Sequence, residues 1–122
     1  MNDVVRINTN HRRSSAVTYN GIVFLGGQTA EDRSQDIRGQ TQQTLAKIDQ
    51  FLAEAGTDKS RLLTAQIWLK NIKTDFAIMN EVWDAWTAPG ASPTRATAQC
   101  DMGQPEVLVE IIVTAAIGKI EG

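Results

Sequence analysis

The sequence has a single cysteine, Cys100, and a single histidine, His11. One cysteine rules out an intramolecular disulfide. Together with one histidine it cannot supply the ligand cluster that a zinc site needs, so no metal is expected. Long apolar runs are also missing. None approaches the roughly 20 residues of a membrane span, and no membrane partner is expected. The N-terminal MNDVVRINTN carries charged and polar groups where an export signal needs an unbroken apolar stretch, so the expected location is cytoplasmic. There is no basic excess: 12 Lys and Arg stand against 14 Asp and Glu, a formal charge of −2. Such a chain has no global attraction for phosphates, and nucleic acid is not an expected partner. Repeats, linkers and low-complexity segments are absent, and 122 residues suffice for one core but not two. A single domain over residues 1–122 follows.

What is present alternates between strand and helix patterns. Val4–Asn8 and Ala16–Gly26 are β-rich, and Asn20-Gly21 between AVTY and IVFLGG is a strong hairpin signal. From Asp36 to Ala55 apolar residues recur mostly at three and four, which predicts an amphipathic helix stopped by Gly56. Leu62–Leu69 reads as a buried strand. A second helix follows, with Thr74 or Asp75 as N-cap candidates, a stripe of Phe76, Met79, Val82, Trp83 and Trp86, and a stop at Pro89-Gly90. Thr94–Cys100 is an expected strand, Gly103-Gln104-Pro105 a turn, and Val107–Ile117 a long strand. The order implies an α+β fold, a mixed sheet with two helices on one face. Both faces of the last strand are apolar, so something beyond the two helices must cover the sheet, and a second copy of the chain is the simplest candidate.

Glu110 is the only charged residue between Val107 and Ile117. Burying an ionised carboxylate is costly unless it is paired, so Glu110 needs a partner or a role. A hairpin turning near Gly103-Gln104 would place Thr97 opposite Glu110, with Arg95 diagonally adjacent on the same face at about 7–8 Å. In a sheltered cleft Arg95 would then hold a small carboxylate bidentately while Glu110 orients or activates water. The alternative is a structural ion pair in a subunit interface.

The segment SPTRATAQ, followed by a turn region and LVEIIVTAAI, resembles the C-terminal signature of the RidA (YjgF) family, with Arg95 and Glu110 on its two signature positions. FAIMNEVWDAW resembles the family's Phe-Ala-x-x-Asn helix and places Asn80 on its matching position. FLGGQT resembles the Ser-Gly-Gln element after the hairpin and places Gly27 and Gln28. The opening Arg-x-Ser-x-Ala-Val and MNEVWDAW are more similar to the YoaB-like branch. The resemblance implies a chorismate-mutase-like fold, a homotrimer whose sheets form a central barrel, and three clefts between neighbours. It also implies an imine deaminase, a hydrolase turning iminopropanoate or iminobutanoate into a 2-keto acid and ammonia. Arg95 would bind the substrate carboxylate, Glu110 would handle water, and backbone near Gly27 would help bind substrate. An imine is already electrophilic, so orientation beside water can supply much of the acceleration and no cofactor is expected.

The chain departs from the deaminase pattern at three places, with Arg13 where a tyrosine is usual, Gly26 for serine and Thr97 for cysteine. Arg13 is either a second anion anchor, favouring a dicarboxylate or more acidic ligand, or a solvated surface residue. Thr97 either donates to substrate or fills a strand position, and Asn80 either orients a ligand or bonds a neighbouring loop. Cys100 reads as an inert thiol, His11 as a surface residue, and Trp68, Trp83 and Trp86 as core or interface aromatics. Two further functions compete with deamination: sensing of a small carboxylate metabolite without turnover, and RNA cleavage, which the acidic balance disfavours.

Overall fold

The computed structural model describes residues 3–117. Among them lie β1 (Val5–Thr9), β2 (Ser14–Tyr19), β3 (Ile22–Leu25), α1 (Ile37–Glu54), β4 (Leu62–Leu69), α2 (Ile72–Trp86), β5 (Thr94–Gln99) and β6 (Val109–Ala116). The strands form one mixed sheet in the order β1-β2-β3-β6-β4-β5. Asn20 and Gly21 both take positive φ, 52° and 78°, the geometry of a type I′ turn whose twist matches the β2–β3 hairpin.

Helix α1 begins where Asp36 accepts the Gly39 N–H at 2.9 Å, and the chain leaves it through Gly56 at φ +85°. Its buried side includes Leu45, Ile48 and Leu52, which pack with Met79, Val82 and Trp83 of α2 over Ile67, Leu69, Val109, Ile111 and Val113 of the sheet. The start of α2 differs from the sequence expectation. Asn71, rather than Thr74 or Asp75, is the N-cap, and its side chain makes no capping bond. The Gln99 side chain, from the end of β5, accepts the Ile72 N–H at 2.9 Å instead, so a residue distant in sequence satisfies the exposed first turn. The helix ends at Trp86, short of Pro89-Gly90. The last two strands are each slightly shorter than expected, closing at Gln99 and opening at Val109.

The expected hairpin between the last two strands does not form. β5 pairs in parallel with β4, and β4 pairs antiparallel with β6, so β4 lies between them. A strand, helix and strand in sequence return the chain parallel to itself, and α2 is that crossover. The connector 100–108 then passes the end of β4, where the Cys100 N–H donates to Leu69 and the Lys70 N–H to Leu108.

The helices cover one face of the sheet, on which Val109, Ile111, Val113 and Ala115 are fully buried. Phe24, Tyr19 and Trp68 lie on the opposite, open face and are 45%, 39% and 38% exposed, so among the described residues no element covers these aromatic side chains.

Candidate functional site

Register decides where the candidate residues point. Arg95 and Thr97 pair with Ala65 and Ile67, both buried under the helices, so they lie on the helix-bearing face. Glu110 pairs with Trp68 on the open face. The expected arrangement, Thr97 opposite Glu110 with Arg95 on the same face, is therefore overturned. The intervening β4 separates the strands, and the parity of the register puts the guanidinium and the carboxylate on opposite sides of one sheet. They form two groups, one on each face.

The guanidinium half lies at the sheet edge beside α2. Arg95 Cζ sits 5.5 Å from the Trp83 ring centroid and 6.0 Å from that of Phe76. Such stacking, worth about 0.5–1 kcal/mol at an exposed site, aims the group while leaving its N–H donors unneutralised. Neither ion pair found among the described residues involves Arg95. Asn80 follows Phe76 by one helical turn and precedes Trp83 by another, so all three share a stripe of α2. The Asn80 Oδ1 and Thr97 Oγ1 atoms are buried without a hydrogen-bond partner. Buried polar atoms are rarely left so, and among the described residues the Asn80 oxygen, an acceptor, and the Thr97 hydroxyl, an acceptor or donor, both lack a partner. A cavity of about 550 Å³ opens here, lined by Ile72, Lys73, Phe76, Arg95 and Thr97.

The carboxylate half lies where β3 runs on past Leu25. Phe24 pairs with Thr114 and Gln28 with Ile111, so the first chain spends one residue more than the second and a bulge forms at Gly26-Gly27. Leu25 and Gln28 on either side are both buried toward the helices, which turns the two glycines together onto the open face. A Cβ on Gly27 would stand 2.1 Å from Glu110 Oε2, so the carboxylate rests directly on bare backbone. A Cβ on Gly26 would stand 3.6 Å from the Arg13 Nη1 atom. Arg13 and Glu110 thus border the same uncovered stretch of chain from its two ends.

Arg13 is held there by its loop. Asn10 Oδ1 accepts the Arg12 and Arg13 N–H groups at 2.7 and 2.9 Å, and the Asn10 N–H donates to the Arg13 carbonyl at 2.9 Å. His11 is exposed in the same loop, and Cys100 is half-buried beyond β5. Among the described residues no group of three or more His, Cys, Asp or Glu side chains is arranged to hold a metal.

Two braces had no structural role in the sequence reading, which named Gln28 only within the FLGGQT resemblance and did not single out Gln40. Gln28 is 5% exposed, its backbone exchanges two hydrogen bonds with Ile111, and its amide donates to the Gly26 carbonyl at 3.1 Å. Gln40, fully buried on α1, donates to the carbonyls of Arg33, Gln35 and Glu106 and accepts the Leu108 N–H at 2.9 Å. It ties the loop after Gly27 to the segment before Glu110. The available signal was its position: Gln40, Thr41 and Thr44 are polar residues on the buried stripe of α1, where apolar side chains are the rule. Phe76 and Trp83 were legible as an apolar stripe but not as the wall behind Arg95.

The profile of the family described as Endoribonuclease L-PSP matches residues 4–117. A RutC family protein of Haemophilus ducreyi is 44% identical over 114 residues, spanning 93% of this chain and 97% of its own. The RutC family protein YoaB of Escherichia coli K12 is 40% identical over 114 residues, 93% of this chain and 98% of its own. A crystal structure of a YjgF family protein from Neisseria meningitidis superposes with a TM-score of 0.92 at 42% identity, covering 97% of this chain and 98% of that one.

Proposed function

The chain belongs to the RidA/YjgF family, on its YoaB-like side, and from that premise we propose that it hydrolyses 2-imino acids to 2-keto acids and ammonia in clefts built by two copies of the chain. The observation that supports this reading is the division of the site. A stacked, unpaired guanidinium with two orphaned polar oxygens lies on one face, and a carboxylate resting on bare glycine backbone lies on the other. Each half is incomplete alone. A neighbour whose open face meets the β5 edge brings its Glu110 half onto the Arg95 half and covers exposed apolar surface as it does so. The homotrimer with a central barrel and the cytoplasmic location belong to the same proposal.

In such a cleft Arg95 binds the substrate carboxylate through two parallel N–H donors, and Asn80 and Thr97 contribute to the wall. The neighbour's Glu110 accepts a proton from water as its oxygen adds to the imine carbon. The proton passes to the nitrogen of the resulting carbinolamine. Glu110 then relays the hydroxyl proton to the amino group as the carbon–nitrogen bond breaks, ammonia leaves and the carbonyl forms, so one imine and one water give one keto acid and one ammonia. Gly27, bare of side chain, lets the carboxylate settle against the backbone, whose polar groups stand beside the substrate. Holding imine and water together removes much of the entropic cost of their encounter.

The test is ammonia release from freshly generated iminopropanoate and iminobutanoate. Arg95→Ala and Glu110→Gln are each expected to lose the acceleration over the spontaneous rate. If both residues serve one cleft from different copies, oligomers reassembled from an equal mixture of the two variants recover about one quarter of the wild-type sites. No recovery, with mixed oligomers verified, removes the shared cleft. Saturable keto-acid binding with no turnover by the wild type would make the protein a metabolite sensor. The family description names an endoribonuclease, but a formal charge of −2 and a lone, exposed histidine give RNA cleavage less support.

A further inference from the structure

We infer that the cleft is built for the imine of a dicarboxylic amino acid, with Arg95 taking the carboxylate next to the imine carbon and Arg13 taking the second one. The inference rests on the two-copy cleft proposed above and deepens it by naming the substrate class. Arg13 is placed for this role by two independent features. Its backbone is pinned by the Asn10 side chain, and its guanidinium lies over Gly26, whose missing side chain leaves the cation facing the ligand surface. The bulge turns Gly26 and Gly27 onto the same face, so Arg13 stands at one end of the bare backbone and Glu110 at the other.

Charge balance then selects the ligand. When the halves meet, the cleft holds the guanidiniums of Arg13 and Arg95, with Lys73 lining the Arg95 cavity, and among the described residues of the two halves Glu110 supplies the carboxylate that faces them. Neither ion pair found among the described residues involves Arg13, Lys73, Arg95 or Glu110. A ligand with one carboxylate satisfies Arg95 and leaves Arg13 to lose water without a partner, which is costly for a cation. A second carboxylate at the Gly26 end meets Arg13 in charge-assisted hydrogen bonds and stays clear of Glu110 at the Gly27 end. The preference for two charges over one is expected to be roughly ten- to a hundredfold.

The experiment compares kcat/KM for imines generated in place by amino-acid oxidases from glutamate or aspartate and from alanine or 2-aminobutanoate, in wild type, Arg13→Ala and Arg13→Lys. Wild type should favour the dicarboxylate imines by at least about tenfold, Arg13→Ala should lose that preference, and Arg13→Lys should keep part of it. A wild-type preference for the monocarboxylate imines, or a ratio unmoved by Arg13→Ala, overturns the inference. If wild type hydrolyses none of the imines, the deaminase reading fails on its own, and calorimetric binding of 2-oxoglutarate against 2-oxobutanoate decides the second carboxylate. Tighter 2-oxoglutarate binding that Arg13→Ala abolishes supports the Arg13 site, whereas equal binding of the two overturns it.

Discussion

Replacing Gly27 by alanine adds one methyl group at the point where backbone and carboxylate touch. That methyl would lie 2.1 Å from Glu110 Oε2, 3.0 Å from Cδ and 3.3 Å from Cγ. All three atoms belong to the end of a flexible side chain, so the clash is relieved by swinging the carboxylate rather than by opening the sheet. Reaching ordinary contact requires a displacement of roughly 1.5 Å. Gly27 does not need positive φ, since the glycines in that conformation are Gly21, Gly56 and Gly90, so alanine introduces no backbone strain there. Stability should therefore fall by less than about 1 kcal/mol. Activity should respond differently, because a misplacement of about 1 Å in a positioned catalytic group can cost on the order of a hundredfold. Urea denaturation and initial rates of ammonia release from iminobutanoate measure the two quantities on the same preparation. The expected result is a denaturation midpoint near that of wild type with kcat down by about two orders of magnitude. Full activity in Gly27→Ala would show that the position of the Glu110 carboxylate is immaterial. A stability loss of several kcal/mol would show instead that the glycine serves the fold.

Gln40→Leu removes the acceptor of the Leu108 N–H and a donor to three carbonyls, and should destabilise the protein by about 2–3 kcal/mol. A denaturation curve with an unchanged midpoint would refute that bridging role. Hydrogen bonds from the Ser34 hydroxyl, then the Gln35 amide and the Ser34 N–H, hold the exposed Asp32 carboxyl below the usual carboxylate range. Because the folded value is the lower one, the stabilisation is present above the unfolded value of about 4 and is lost as pH falls through the folded value. A carboxyl-detected NMR titration should give an Asp32 midpoint below that of the corresponding peptide, moving upward in Ser34→Ala. Coincident midpoints would contradict the cause assigned here.

Local chemistry made most elements readable. Asn20-Gly21 dictates its turn because both residues tolerate positive φ, Asp36 caps α1 through its own side chain, and Leu62–Leu69 is bounded by charged neighbours. The N-terminus of α2 was not readable, since its capping oxygen comes from Gln99, which reaches Ile72 only after β5 has docked. Strand order is likewise a long-range property. The succession of β4, α2 and β5 carries the signature of a parallel unit, but it competes with the antiparallel alternative suggested by two apolar strands flanking Gly103-Gln104-Pro105. Of the candidate residues, Arg95 and Thr97 line one cavity, Asn80 shares the helix stripe of the two rings that flank Arg95, and Arg13 and Glu110 border the Gly26-Gly27 backbone. Sequence pattern identified the members of both groups but not their division, because a face assignment depends on which strand lies between.

That division cannot be undone within one chain. Arg95 shares a row with Ala65 and Val113, and Trp68 shares one with Glu110, so the two charges differ by odd parity in the pleat. Bringing them onto one face would require β6 to slip by a single residue, which would turn Val109, Ile111 and Val113 out of the core. Each of those side chains contributes about 1.5–3 kcal/mol through burial. An exposed ion pair returns about 1 kcal/mol or less. The register therefore wins by a wide margin. If Arg95 and Glu110 act on one substrate, they must do so from different copies, and the open face that carries Glu110 also exposes the apolar side chains that the proposed second copy would cover.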